Sequence, residues 1–554
     1  MMYVKKMRYY FDIKLKYVEY EILDFKQALS ILSKSSPFAV STEREQNQDH
    51  LVEFKRYIYI KTDIETDFKK TLISAKSNQV IFLCGSSGDG KSEILTQYSQ
   101  KHKATHDFHL DATHSFAPNQ TAIHALDQRF SEFKQSNKPL VVGINVGMLG
   151  NYAEEGADEH IDVKNAARSF LTRNHSQIPE QYVFLDFEDY PKFTFNNEGS
   201  ASDFAEQFLK RLTAQTLDNP FYVLYDKELK SQGHTRLTAN FALLSRPAVQ
   251  KSLIGLLLKA RLIKDQFLTA RALLDFIFQL LAADGYLFDN LFSDSDNELL
   301  SRIQSFDPSN IHTRTVDEFV LEHGLGIEDE QFSAFRAKIN ELGFFEITEA
   351  TSFLRLFYLL RGDNELSNDF VTLIQNEFTN NLVETYASVW MLHRDFDGSG
   401  KMRKVLGSFY KETLIAALHR YCNRHAPTLD KDEYLVSELN GYKTAVSLEV
   451  KADFSAIQNS ALEKIGTFNA YLKVDDQSLK AMPISVRLLE LLVKIGQGYR
   501  PNKHDKNAVL LLDEVLEQML TVAKQKETLF ILKEDKRYKI VLEESDYFEV
   551  SGMR

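Results

Sequence analysis

Two kinds of hydrophobic pattern divide the chain. Over roughly the first two hundred residues, short unbroken apolar runs alternate with amphipathic stretches. Val80-Ile-Phe-Leu-Cys84, Pro139-Leu-Val-Val-Gly-Ile-Asn-Val146 and Tyr182-Val-Phe-Leu-Asp186 are such runs, and Phe108-His-Leu-Asp111 is a shorter one. Continuous apolar runs of this length predict strands covered on both faces. Between them the apolar residues recur at helical spacing. Leu51 to Ala75 reads as one or two helices, with Ile64, Phe68, Leu72 and Ile73 in phase. Ser92 to Gln100, Ala122 to Phe133 and Val163 to Thr172 read as single helices. This alternation predicts a parallel α/β sheet.

Past about residue 200 the strand pattern gives way to helices. These are expected over Phe204–Leu217, Pro247–Leu262, Leu268–Ala283, Phe332–Asn340, Thr351–Leu360, Asp369–Met391 and Thr413–Cys422. No repeat of fixed period joins them. Thr528 to Glu543 reads as two strands around a Glu-Asp-Lys turn. Ahead of the first strand, residues 8 to 25 alternate loosely, as a strand or an arm. Asp24 to Ser33 suggests a short helix stopped by Ser35-Ser36-Pro37, and residues 42 to 50 form a polar loop. The expected organisation is an N-terminal arm (1–50), an α/β core (51–200), a helical lid-like region (201–300), a helical domain (301–425) and a C-terminal α+β domain (426–554).

Composition narrows this. At 554 residues the chain exceeds one hydrophobic core. With 44% apolar and 26% charged residues it can pack an ordinary interior. Its 40 Phe and 24 Tyr, beside the single Trp390, read as an aromatic-rich core ahead of a base-stacking surface. The net charge of −12 argues against coating DNA through a broad basic face, and leaves room for a local groove. Cys84 and Cys422 make neither a disulfide framework nor a metal knuckle, which suits the cytosol. Neither a membrane-length apolar run nor an export signal is read, and the start at Met1 or Met7 stays open.

The chemistry concentrates after the first apolar run. Gly85-Ser86-Ser87-Gly88-Asp89-Gly90-Lys91-Ser92, followed by Glu93, fits G-x-x-x-x-G-K-S/T between a strand and a helix. The glycines let the backbone turn its N–H groups toward phosphate oxygens. The helix start adds its positive dipole end. Lys91 suits the β- and γ-phosphates, and Ser92 suits Mg²⁺. An ordinary Gly/Ser turn is the alternative, but the strand before and the helix after favour a phosphate loop.

Such a loop needs a second acid near the metal. Asp111 and Asp186 both end strands, and the choice between them is open. Each suits a turn cap equally well. Glu188 follows Asp186 and could polarise a water. Asn145 lies near the end of its run, where AAA+ ATPases carry a polar residue called sensor 1; a turn-forming Asn is the alternative. Arg271 opens a helix in the helical region, as a second sensor or a surface Arg. His102, His106, His109 and His114 cluster without zinc spacing. Lys401, Arg403, Lys404 and Lys533, Lys536, Arg537 are basic spots that read as solvated loops ahead of DNA contacts.

Four strings carry a resemblance: Ile81 to Glu93, Phe108-His-Leu-Asp-Ala-Thr-His-Ser-Phe116, Val142-Gly-Ile-Asn-Val-Gly-Met-Leu-Gly-Asn151 and Leu185-Asp-Phe-Glu-Asp-Tyr-Pro191. In this order they resemble the DptF family, the DNA phosphorothioation-dependent restriction proteins. The likeness extends through Ala272-Leu-Leu-Asp-Phe276 and Phe306-Asp-Pro308. It implies an AAA+-like P-loop NTPase domain with a parallel sheet, a largely helical region after it and a small C-terminal β-containing element. It implies ATP and Mg²⁺ as cofactors, with Gly85 to Ser92 as nucleotide ligands. It implies a bacterial defence complex with DptG and a helicase-like DptH, acting in the cytoplasm on DNA that lacks the sulfur mark. DNA would be met indirectly or at a local site, no membrane is implied, and homo-oligomerisation stays open. No standard Asp-Glu pair aligns here. An ATP-hydrolysing subunit is the first reading and a non-hydrolysing, nucleotide-dependent scaffold the second. A nuclease subunit comes third, because no metal-carboxylate-lysine cluster stands out.

Overall fold

This computed structural model describes residues 23–36, 49–113, 120–190, 192, 194–196, 199–264, 268–327, 329–378, 382–460, 465–534, 536–543 and 547–553. The loose alternation up to residue 22, the polar loop over 42–48, His114 and Ser115 lie outside the described residues. The chain divides into two compact units. One comprises 1–194, 201–260 and 266–379; the other comprises 195–200, 261–265 and 380–554.

The first unit is built on four parallel strands. They are β1 (Val80–Cys84), β2 (Asp107–His109), β3 (Leu140–Ile144) and β4 (Tyr182–Asp186), in the order β2-β3-β1-β4. β1 pairs in register with both neighbours, so Cys84 stands opposite Ile144 on one side and Asp186 on the other. Every residue of β1 and β3 is buried. Parallel strands need crossovers, and the crossover helices cover both faces.

Alternate residues of β1 feed two cores. Phe82 and Cys84 pack with Val142 and Ile144 on one face, under α3 (Ala122–Gln135), α4 (Val146–Glu155) and α5 (Ile161–Leu171). Ile81 and Leu83 pack on the other face, under α1 (Asp63–Ser74) and α2 (Lys91–His102). Phe184 stacks between Phe82 and Phe170, with ring centroids 4.7 and 4.5 Å away. β3 stops short of the expected Val146 because Asn145 caps α4, its side chain accepting from the Met148 N–H at 2.6 Å.

The rest of the first unit is helical. It includes α6 (Ala270–Ala282), capped by the Thr269 side chain. Its phenylalanines fill the interior, and Phe332 packs edge-on against Phe319 and Phe353. Two acids from the resemblance strings hold this region together. Buried Asp275 accepts from the Lys34 N–H and the Asn297 side chain. Asp307 accepts from Arg355 and caps Ser309.

In the second unit, the stretch expected as one helix over 369–391 ends in a separate helix, Leu382–Arg394. A further helix, Gly400–Cys422, contains a π-helical segment at Phe409–Ile415. An antiparallel sheet closes the chain: β5 (Glu433–Leu439), β6 (Tyr442–Ser447), β7 (Thr528–Lys533), β8 (Lys536–Glu543) and β9 (Tyr547–Met553), in the order β9-β8-β7-β6-β5. The expected pair around Glu534 is β7 and β8. Among the described residues no single helix is long and apolar enough to cross a membrane.

Candidate functional site

The glycine loop joins the end of β1 to the start of α2. Its turn depends on φ values that side chains resist: +85° at Gly88 and +108° at Gly90. Gly85 is excluded from carrying a side chain by crowding. A Cβ there would lie 2.9 Å from a Phe187 ring carbon and 3.1 Å from Asp89 Oδ2. Gly90 is the cap position of α2 and provides no side-chain acceptor. The first N–H groups of this helix therefore meet the loop without a capping side chain.

Lys91 folds back over the loop. Its ammonium donates to the carbonyl oxygens of Gly85 at 2.8 Å and Ser86 at 2.6 Å. Burial lowers its pKa below the ordinary value, while Asp89 and Asp111 oppose that shift and Lys192 adds to it. Ser86 and Ser87 are exposed, and Ser92 is half-buried one residue into α2. Glu93 pairs with Lys55 at 3.0 Å, which ties α2 to the helix Asp49–Ile58.

Three candidates from the sequence lie beside the loop. Asp111 follows β2, and the next residue, Ala112, donates its N–H to the Gly143 carbonyl at 2.9 Å. This holds the end of the β2 segment against β3. Asp111 accepts from the Thr113 N–H and hydroxyl at 2.9 and 2.6 Å. Arg271 meets the loop through its backbone, its N–H donating to the Gly88 carbonyl at 3.1 Å. A Cβ on Gly88 would stand 3.0 Å from Arg271 Cβ and 3.2 Å from the Thr269 hydroxyl. Asn145 follows β3, next to β1, with its side chain engaged in the α4 cap.

Asp186 and Glu188 are differently placed. Asp186 is buried at the end of β4 and accepts from the Glu188 N–H at 3.1 Å. Desolvation raises its carboxyl pKa, with Glu188 and Asp189 adding to the rise and the Glu188 N–H opposing it. Glu188 lies on the surface, 3.4 Å from Arg173. Lys91 is coupled electrostatically to Asp111; Asp186 has Glu188, Asp189 and Arg173 as charged neighbours, and Cys84 lies in the fields of both Asp186 and Lys91.

Lys192 and Phe187 belong to the site although no motif marks them. Lys192 Nζ lies 2.9 Å from Asp89 Oδ1, and Asp89 Oδ2 accepts from the Ser86 N–H at 2.7 Å. The Phe187 ring lies between that ammonium, 5.3 Å from its centroid, and Gly85. Thr269, which caps the helix that touches Gly88, was equally unmarked.

Elsewhere the candidate chemistry is structural. The His106 ring is bonded to the Leu72 carbonyl. Among the described residues no group of three or more His, Cys, Asp or Glu is arranged to hold a metal. Cys84 and Cys422 are free and buried. In the C-terminal basic spot, Arg537 pairs with Glu433 and Asp430, and Lys533 lies over the Tyr442 ring. A cavity of about 430 Å³, lined by Tyr222, Tyr225, Arg246 and Asp363 among others, has no loop residue in its wall. No family model, curated protein or solved structure matches the chain.

Proposed function

We propose that this chain binds MgATP at Gly85 to Ser92 and serves as the nucleotide-dependent subunit of a cytoplasmic DNA-restriction complex. The observation that carries nucleotide binding is the Lys91 ammonium, held by the Gly85 and Ser86 carbonyls beside a glycine turn and an uncapped helix start. Two carbonyl oxygens on an ammonium make the same kind of contact that phosphate oxygens make. The glycine backbone leaves room for them, since nothing lies within 4 Å of a Cβ built on Gly90. This donor set fits a triphosphate. The negative charge of the phosphates would be offset by a Mg²⁺ ion. Ser92 and Asp111 would hold it.

Asp111 is the better metal acid because its charge acts on the Lys91 ammonium, opposing the effect of burial there. Arg271, through Gly88, would transmit the state of the loop to α6. The restriction role, with DptG- and DptH-like partners and unmodified DNA, rests on the four-string resemblance. Hydrolysis is the first reading. A non-hydrolysing scaffold gains from one observation: Asp111, Asp186 and Asn145 already use side-chain oxygens to cap turns.

The test is MgATP titration by calorimetry with the full chain and Lys91→Ala. Loss of a charge-assisted contact of about 1.5–3 kcal/mol predicts roughly ten- to a hundredfold weaker binding. Equal affinity would overturn the nucleotide reading. Phosphate release with partners and unmodified DNA then separates enzyme from scaffold.

A further inference from the structure

A phosphate-binding loop that carries its own buried carboxylate presents an electrostatic problem. Asp89 is 4% exposed and sits between two positive-φ glycines in the loop. Its Oδ2 takes the Ser86 N–H, a donor of the loop itself. A negative charge here repels any polyphosphate that enters. Lys192 answers that charge from outside the loop, with Nζ 2.9 Å from Oδ1. Its side chain is 14% exposed, so the pair is poorly screened by water. The lysine is also placed with care. Its carbonyl accepts from the hydroxyl of buried Ser202, and its ammonium lies over the Phe187 ring that abuts Gly85.

We propose that Lys192 is a positioning residue for nucleotide binding: it neutralises Asp89 and holds it on the Ser86 N–H, so that the loop receives a polyphosphate without internal repulsion. The inference rests on the nucleotide reading above and extends it to a residue outside the motif. Removing Lys192 leaves the buried carboxylate without its ion-pair partner, in the field of Lys91, whose ammonium the phosphates also need. Removing the Asp89 charge makes Lys192 dispensable for neutralisation and leaves its ammonium to the phosphates. An ion pair that served only to hold the fold would show the opposite pattern, because either single substitution would then weaken the loop.

The experiment is titration of the full chain with MgATP and MgADP by calorimetry, for wild type, Lys192→Met, Lys192→Arg, Asp89→Asn and the double variant. Lys192→Met is expected to weaken MgATP binding about tenfold or more, and MgADP binding less, because repulsion grows with ligand charge. Lys192→Arg should bind like wild type. Asp89→Asn should bind MgATP at least as tightly as wild type, and the double variant should return close to wild type. Wild-type affinity in Lys192→Met, or equal weakening in Asp89→Asn, would overturn the inference and leave the nucleotide reading standing. Absence of MgATP binding by the wild-type chain would overturn both. The Asp89→Asn result decides the matter even if Lys192→Met does not fold.

Discussion

The backbone N–H of Arg271 donates to the carbonyl oxygen of Gly88 across 3.1 Å, between residues 183 positions apart in the chain. The start of α6 is thereby fastened to the middle of the glycine loop. Gly88→Ala would carry two penalties. The φ of +85° costs a side chain about 1–2 kcal/mol, and the new Cβ would press on Arg271 Cβ at 3.0 Å. Gly90→Ala would carry strain without a clash, since nothing lies within 4 Å there. Both are expected to lower the melting temperature. Faster hydrogen exchange at the Arg271 amide is expected only for Gly88→Ala, and mass spectrometry of peptides spanning α6 checks it.

The two candidate acids separate by substitution. Asp111→Asn is expected to weaken MgATP binding about tenfold while changing Mg²⁺-free binding little, the loss of one carboxylate ligand. Asp186→Asn should leave the Mg²⁺ dependence unchanged, because Asp186 is buried at the end of β4, where it answers the Glu188 N–H and has Arg173 as a charged neighbour. Titration with and without Mg²⁺ distinguishes them. The reverse pattern would move the metal acid to β4.

Much of the sheet could be read from the chain, because β1 and the first four residues of β4 are apolar runs of strand length bounded by turn residues, although β4, at the sheet edge, is half-buried over its middle. The loop was legible for the same reason, being bounded by β1 and α2. The end of β3 was less so: Val146 is apolar enough for a strand, yet the Asn145 side chain commits it to a helix. The hairpin of β5 and β6 went unread despite Asn440-Gly441, whose φ values of 52° and 77° make the tight turn. Its strands carry Glu433, Ser437 and Glu438 among apolar residues, which blurs the period. Lys192 could not be found by pattern. Its partner is 103 residues away, and an ion pair of that kind exists only once the chain has folded.

Gly143 marks where the site is supported from behind. A Cβ there would meet Leu95 Cδ1 at 2.3 Å and the Leu110 carbonyl oxygen at 2.6 Å. Leu95 can turn, but the Leu110 oxygen is backbone, and that backbone leads to Asp111. Gly143→Ala must therefore push the end of β2 away from β3, an overpacking cost of typically 1–3 kcal/mol. Urea denaturation is expected to show that loss. If the protein remains folded, MgATP affinity should fall with it, because Asp111 moves; unchanged stability would mean that the two strands separate freely.

The second unit should lose stability in mild acid through His393. This histidine is buried, and its Nδ1 is bonded to the Val389 carbonyl at 2.8 Å. Its Nε2 pairs with the Tyr410 hydroxyl at 3.0 Å, and that hydroxyl also accepts from the Tyr471 N–H. The ring is thus held neutral, with the proton on Nδ1 and the Tyr410 O–H donating to Nε2. Desolvation lowers the pKa to about 4, opposed by the Val389 carbonyl. Since the native pKa lies below the ordinary 6.5, the unfolded chain takes up the proton first as pH falls. Stability is complete above about pH 6.5 and declines toward pH 4, by up to roughly 3 kcal/mol for this group. His393→Gln removes the titration. It should be less stable than wild type at pH 7 and show a shallower decline to pH 4.5 in urea midpoints. Equal slopes for the two proteins would mean that His393 does not titrate in this window.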